Sequence, residues 1–236
     1  MTSTNPASPH PSITERFATV RHQIDLACQV AGRDSASVTL TAVSKTQSQT
    51  ALAEALATGQ RVFGENRVQE AYAHWSEWRG EYDDLELRLI GPLQSNKAAE
   101  AVALFDVIET VDREKLLVAL AREIDKQGRH PRLLVQVNTG AEPQKAGVLM
   151  DQVEPLIDQA RETYGLKIEG LMAIPPVEED PATHFAQLAQ KAQDLGLPVL
   201  SMGMSSDFEA AISQGSTHVR VGSALFGERN RVDIPS

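Results

Sequence analysis

The chain has 236 residues, 42% hydrophobic and 23% charged, a balance that suits a globular protein with a sizeable core. Its formal net charge is −10, with no Lys/Arg run and no basic-aromatic interleaving, so nucleic acid is an unfavourable partner. A single cysteine, Cys28, excludes an internal disulfide framework, and no apolar run approaches a membrane span or a secretory signal, so a cytoplasmic protein with no membrane partner is expected.

Residues 1–11, with three prolines among small polar residues, read as a flexible tail, and 12–236 as one unit. Ser12 with Glu15 forms a capping-box pattern at the head of an amphipathic helix. Its apolar positions are Ile13, Phe17, Val20, Ile24 and Ala27, and Gly32 stops it. Val38 to Lys45 is a β-branched strand that ends on a lysine, and helical composition resumes from Ser48. The strand-then-helix pattern repeats from there. The further strands are expected at 61–64, 85–90, 105–111, 132–138, 167–174, 198–202 and 218–221. The helices between them are expected at 66–78, 95–104, the stretch holding Leu116 to Ile124, 150–164, 182–195 and 207–214.

Eight strands alternating with helices predict a parallel sheet with crossover helices. The count of eight, and the absence of Gly-x-Gly-x-x-Gly after the first strand, favour an α/β fold of the closed type. That is a single (β/α)8 TIM barrel with an extra N-terminal helix, not an open doubly wound sheet.

In such a barrel the polar strand ends converge on one mouth. Lys45 ends the first strand, where its amine is placed to condense with an aldehyde or merely to meet solvent. Met202-Gly203-Met204-Ser205-Ser206-Asp207 follows the seventh strand, and Gly222-Ser223 follows the eighth. Those two loops are where barrels often bind phosphate, here through free backbone amides and serine hydroxyls. Arg220, two residues before Gly222, shares its side of the strand and needs an acceptor, either a ligand or a carboxylate such as Glu65. An amine, a phosphate site and an inward cation form the set expected around pyridoxal phosphate.

The sequence resembles the pyridoxal-phosphate homeostasis (pyridoxal-phosphate-binding) protein family, whose fold is similar to the barrel domain of alanine racemase. The resemblance rests on Ala42-Val43-Ser44-Lys45, Phe63-Gly64-Glu65-Asn66, Ile90-Gly91-Pro92-Leu93-Gln94-Ser95-Asn96-Lys97 and Val137-Asn138. It continues through Gly170-Leu171-Met172-Ala173-Ile174-Pro175, Leu200-Ser201-Met202-Gly203-Met204-Ser205 and Val219-Arg220-Val221-Gly222-Ser223-Ala224. It implies that Lys45 carries the cofactor as a Schiff base, that Ser205, Gly222 and Ser223 hold the phosphate, and that Met204 is among the cofactor-binding residues. It further implies that Arg220 faces the pyridine nitrogen and that Asn66 lines the pocket. The chain departs from the family at Arg67, usually aromatic, and at Leu87-Arg88-Leu89, usually Trp-His-Phe. It departs also at Gly140, often Ser, and at Ser223, often Thr.

Other chemistries lack support in the sequence. The six histidines show no ligand spacing, and one cysteine builds no zinc site, so no metal is expected. Two functions compete: a carrier or buffer of pyridoxal phosphate in vitamin B6 homeostasis, serving apo-enzymes, or a pyridoxal-phosphate-dependent amino-acid racemase. The related racemases take a second base, a tyrosine, from a further β-domain, and this chain ends at Ser236, soon after the eighth strand. A carrier without catalytic residues, as a monomer, is therefore expected.

Overall fold

The computed structural model describes residues 11–227. Most of the expected tail, and residues 228–236, lie outside the described residues. Helix α1 (Ile13–Val30) starts at Ser12 with the expected reciprocal cap: the Glu15 amide donates to Ser12 Oγ at 3.2 Å, and the Ser12 amide to Glu15 Oε2 at 2.7 Å. The helix buries Phe17, Val20, Ile24 and Cys28.

Strands β1 (Thr39–Val43), β2 (Val62–Glu65), β3 (Glu86–Leu89), β4 (Val107–Val111), β5 (Arg132–Val137), β6 (Ile168–Ala173), β7 (Val199–Ser201) and β8 (His218–Val221) pair in parallel and in sequence order. β8 pairs back onto β1, which closes the barrel. Helices α2 (Gln49–Ala57), α3 (Val68–Trp75), α4 (Ala98–Leu104), α5 (Glu114–Gln127), α6 (Val153–Tyr164), α7 (Pro181–Asp194) and α8 (Phe208–Ser213) follow β1 to β7 in turn. A four-residue helix, α9 (Ser223–Phe226), follows β8.

The expected fold class is the observed one, with boundary differences of local origin. Arg67 is extended (φ −136°), so α3 starts after it. The expected helices at 95 and 150 each open with a 3₁₀ turn, Ser95–Lys97 and Met150–Gln152. The N-terminal helix is not peripheral. It packs on α2, α8 and α9, with Phe17 edge-on to Phe226 at 5.8 Å, and so takes the place between β8 and β1 in the helical ring.

Two cores result from the period-two alternation of the strands. The large one lies between the outer face of the sheet and the helices, with Leu87, Leu89, Ile108, Leu133, Val135, Val219 and Val221 buried in it. Inside the barrel, among the described residues, only Val107, Leu134 and Met172, with Ile174 and Val199 against them, form an apolar cluster. Much of the remaining interior is polar: Thr41, Arg88, Glu109, Gln136, Ser201 and Arg220 are all buried.

Candidate functional site

Alternation along β1 sends Lys45, like Thr41 and Val43, to the barrel side, at the C-terminal mouth. Its two neighbours are anchored. Ser44 Oγ donates to Glu65 Oε1 at 2.6 Å, and that oxygen also accepts from Trp75 Nε1 at 3.0 Å and lies 2.7 Å from His74 Nδ1. Thr46 has a left-handed backbone (φ 62°), and its amide donates to Glu70 Oε1. Glu65, expected among the groups at the mouth, instead lies between the sheet and α3. Its hydrogen bond raises the pKa of His74 above the usual imidazole value. Glu65, Glu70 and His74 bring possible ligand atoms within 4.8 Å of one another, a grouping that no spacing motif announces. These groups are engaged by Ser44, Trp75 and Thr46, which makes them a latch on the lysine segment.

Beside Lys45, on the strands that close the barrel against β1, the β7–α8 and β8–α9 turns form a wall of the mouth. Gly203 turns the chain at φ 94°, where an added Cβ would lie 2.6 Å from Ala211 Cβ and 2.9 Å from Phe208 Cα. The Met204 amide is taken by Asp207 Oδ1 at 2.6 Å. The Gly222 amide donates to Ser205 Oγ at 3.3 Å, which ties the two turns together. Among the described residues, the amides of Ser205, Ser206, Ser223 and Ala224 have no acceptor. α8 has six residues and α9 four, so the donors at this wall are free amides and hydroxyls, with little contribution from a helix dipole.

Arg220 lies 3% exposed at the base of this wall. Its Nη1 donates to Ser201 Oγ at 2.6 Å and its Nη2 to the Ala173 carbonyl at 2.8 Å. Its nearest carboxylate is Glu109 Oε2 of β4, at 3.9 Å, and not Glu65 as the sequence suggested. Burial lowers the guanidinium pKa, and Glu109 opposes that shift. Burial would raise the Glu109 carboxyl, but Arg88 and Arg220 outweigh it and hold the group below the usual carboxylate range. Arg88, in the segment that departs from the family pattern, lies inside the barrel and is paired with Glu109 at 2.5 Å.

Lys45, Met204, Ser205, Arg220, Gly222 and Ser223 all line one cavity of about 740 Å³, with Val43, Thr46, Gln47, Ser206 and Gly227. Asn66 does not line it. It lies in an adjoining cavity of about 730 Å³ at the same mouth, among Arg67, Gln94, Lys97, Asp112 and Arg113. Sequence reasoning missed Glu109 and Ser201 as supports of Arg220, and Glu70 as a support of Thr46. The available signal was the lone carboxylate of β4, Glu109, at an inward position of its strand.

Fold and site together define a (β/α)8 barrel whose mouth brings a primary amine and a double turn with free backbone amides to one cavity. Residues 17–230 match the family model for the alanine racemase, N-terminal domain. The pyridoxal phosphate homeostasis protein of Pseudomonas aeruginosa is 42% identical over 226 residues, covering 93% of this chain and 96% of that one. PipY of Synechococcus elongatus, solved with and without PLP, superposes with TM-scores of 0.77 and 0.82 at 38% and 40% identity. In both states the match covers 92% of this chain and 100% of PipY. The alanine racemase of Streptomyces coelicolor shares the fold alone, with TM-score 0.67 and 19% identity over 90% of this chain and 59% of the racemase. The chain belongs to the pyridoxal phosphate homeostasis protein family, within the alanine racemase N-terminal-domain class of barrels.

Proposed function

We propose that the cavity at the barrel mouth holds pyridoxal 5′-phosphate and that the protein buffers or carries this cofactor without sustained catalysis. The observation that carries the proposal is the convergence of Lys45, Arg220 and the Ser205–Gly222–Ser223 turns on one cavity. The fit is chemical. When bound, the cofactor supplies an aldehyde that condenses with a primary amine, a phosphate dianion and a pyridine nitrogen. Lys45 offers the amine. The unpartnered amides and hydroxyls of the double turn offer donors for a phosphate, and Arg220 offers a donor for the ring. PipY, similar over nearly all of this chain, has been solved with PLP bound, which supports the same reading.

One feature favours a carrier over a racemase. No tyrosine lines the cavity: Tyr72 lies half-exposed on α3, Tyr82 lies under the Arg61 guanidinium at 4.6 Å, and Tyr164 donates to Glu114 at 2.9 Å. Arg220, as a guanidinium, only donates, and so favours an unprotonated ring nitrogen, a property that does not by itself forbid catalysis. The protein is read as a cytoplasmic monomer that yields its cofactor to apo-enzymes. None of its helices, among the described residues, is long and apolar enough to cross a membrane.

The test is absorption of the purified protein with and without pyridoxal phosphate. A band at about 420 nm, a property of the bound cofactor, is expected, and borohydride should fix the label on the Lys45 peptide. Lys45→Ala should lose both while staying folded. Label on Lys97 or Lys145 would overturn the assignment. Lys45-dependent deuterium exchange at the α-carbon of alanine at about 1 s⁻¹ or faster would overturn the carrier reading and restore the racemase alternative.

A further inference from the structure

An alternating chain of charges crosses the inside of the barrel from its N-terminal end to the ligand cavity. Arg132 Nη2 meets Glu86 Oε2 at 2.6 Å, and Glu86 Oε1 meets Arg88 Nη1 at 2.5 Å. Arg88 Nε meets Glu109 Oε1 at 2.5 Å. Glu109 Oε2 accepts from Ser201 Oγ at 2.5 Å, and Ser201 Oγ accepts in turn from Arg220 Nη1 at 2.6 Å. Exposure falls along this path, from 41% for the Arg132 side chain and 25% for Glu86 to 1% for Arg88 and 0% for Glu109.

The proton bookkeeping leaves little freedom. Both oxygens of Glu109 are occupied, one by Arg88 and the other by Ser201. A serine hydroxyl has one hydrogen, and Ser201 gives it to Glu109, so toward Arg220 it can only accept. Ser201 thereby keeps the guanidinium 3.9 Å from the carboxylate, beyond hydrogen-bonding distance of a direct pair. The Ala173 carbonyl fixes the second terminal nitrogen at 2.8 Å. Two donors are thus spent on the barrel, and the remaining N–H groups belong to a side chain that lines the cavity. Without Glu109, Arg88 and Arg220 would be two buried cations with no anion between them.

We propose that Ser201 and Glu109 are positioning residues. Ser201 acts as a spacer and Glu109 as the counter-charge that together aim Arg220 at a ligand ring nitrogen, so that the pocket selects aromatic rings carrying an unprotonated acceptor at that point. The inference rests on pyridoxal phosphate occupying the cavity, and it assigns the ring selectivity of that site to residues that do not touch the ligand. Removing the spacer lets Arg220 close on Glu109 and withdraw from the cavity.

The experiment compares the affinity of the intact protein for pyridoxal phosphate and for its 1-deaza analogue, in which C–H replaces the ring nitrogen. Both ligands keep the aldehyde and the phosphate. The wild type should prefer the natural ring by about tenfold or more, the worth of one hydrogen bond to a charged donor. Ser201→Ala and Glu109→Gln should each cut the preference to about twofold, mainly through weaker binding of the natural ring. Ser201→Thr, which keeps the hydroxyl, should restore it. Thermal unfolding without ligand separates lost selectivity from lost fold, and Ser201→Ala carries the test if Glu109→Gln does not fold. An unchanged preference in Ser201→Ala, or a wild type that binds both rings equally, would overturn the inference while leaving cofactor binding intact. A wild type that binds neither ring would overturn the functional reading as well.

Discussion

Glu70 on α3 accepts the backbone amide of Thr46, the residue after Lys45, and Thr46 is held at φ 62°. A non-glycine residue in the left-handed region carries a conformational cost of about 1–2 kcal/mol, so something outside the segment must hold it there. Glu70 does so on one side of Lys45 as Glu65 does on the other through Ser44. Glu70→Ala should lower stability by about 1 kcal/mol, because the lost bond is charge-assisted but exposed. It should also slow borohydride-trappable condensation of pyridoxal phosphate on Lys45. Denaturant titration and stopped-flow absorbance measure the two effects. Unchanged values in both would show that the lysine segment holds its shape unaided.

The hydrogen bond from Gly222 to Ser205 Oγ places both turns at one wall of the cavity, with Ser223 exposed beside them. Replacing Ser205 and Ser223 together by alanine should weaken pyridoxal phosphate by about 1–3 kcal/mol per lost charge-assisted bond. Unphosphorylated pyridoxal should be far less affected. Calorimetric titration with both ligands checks this, and equal weakening of the two would place the phosphate elsewhere.

Gly203→Ala probes the turn itself. The new Cβ would meet Ala211 Cβ and Phe208 Cα from a backbone at φ 94°. A loss of about 2–3 kcal/mol is expected, strain and overlap combined. The denaturation midpoint reads it, and a shift below about 0.5 kcal/mol, the usual range of a surface change, would mean that the turn rearranges freely.

His218, at the start of β8, gives the protein an acid-sensitive element. Burial first, and Arg88 second, lower its pKa to about 4 from the ordinary 6.5. The unfolded chain takes up this proton near the ordinary value and the folded chain only near the lowered one. Stability is therefore lost as pH falls through that interval, by roughly 3–4 kcal/mol in full. His74 has the opposite sign. Its raised pKa adds stability that is present below the ordinary value and fades as pH rises through the raised one. His218→Gln should thus gain on wild type at acid pH and not at neutral pH. Urea titrations at both ends of the interval decide the matter, and parallel curves for the two proteins would dismiss His218 as the titrating group.

The local grammar of the chain was enough for the barrel. Alternating strands of β-branched residues, the Ser12–Glu15 cap and the glycines after β7 and β8 act over a few residues, and each needs only its neighbours to take shape. The placement of Lys45 and of the turns after β7 and β8 at one mouth was legible for the same reason, since a strand end in a parallel barrel has one place to go. Closure decided the rest. Only the circular pairing of β8 with β1 sets Gly222 against Val43, and only the shared interior lets Glu109 of β4 reach Ser201 of β7 and Arg88 of β3. Asn66 was drawn away in the same manner. The β3–α4 turn packs Gly91 onto its backbone, where an added Cβ would lie 2.3 Å from the Asn66 carbonyl oxygen, and its side chain lines the next cavity. A buried charge is tolerated only where an opposite charge from another strand meets it, and that pairing is a property of the closed barrel and not of any segment.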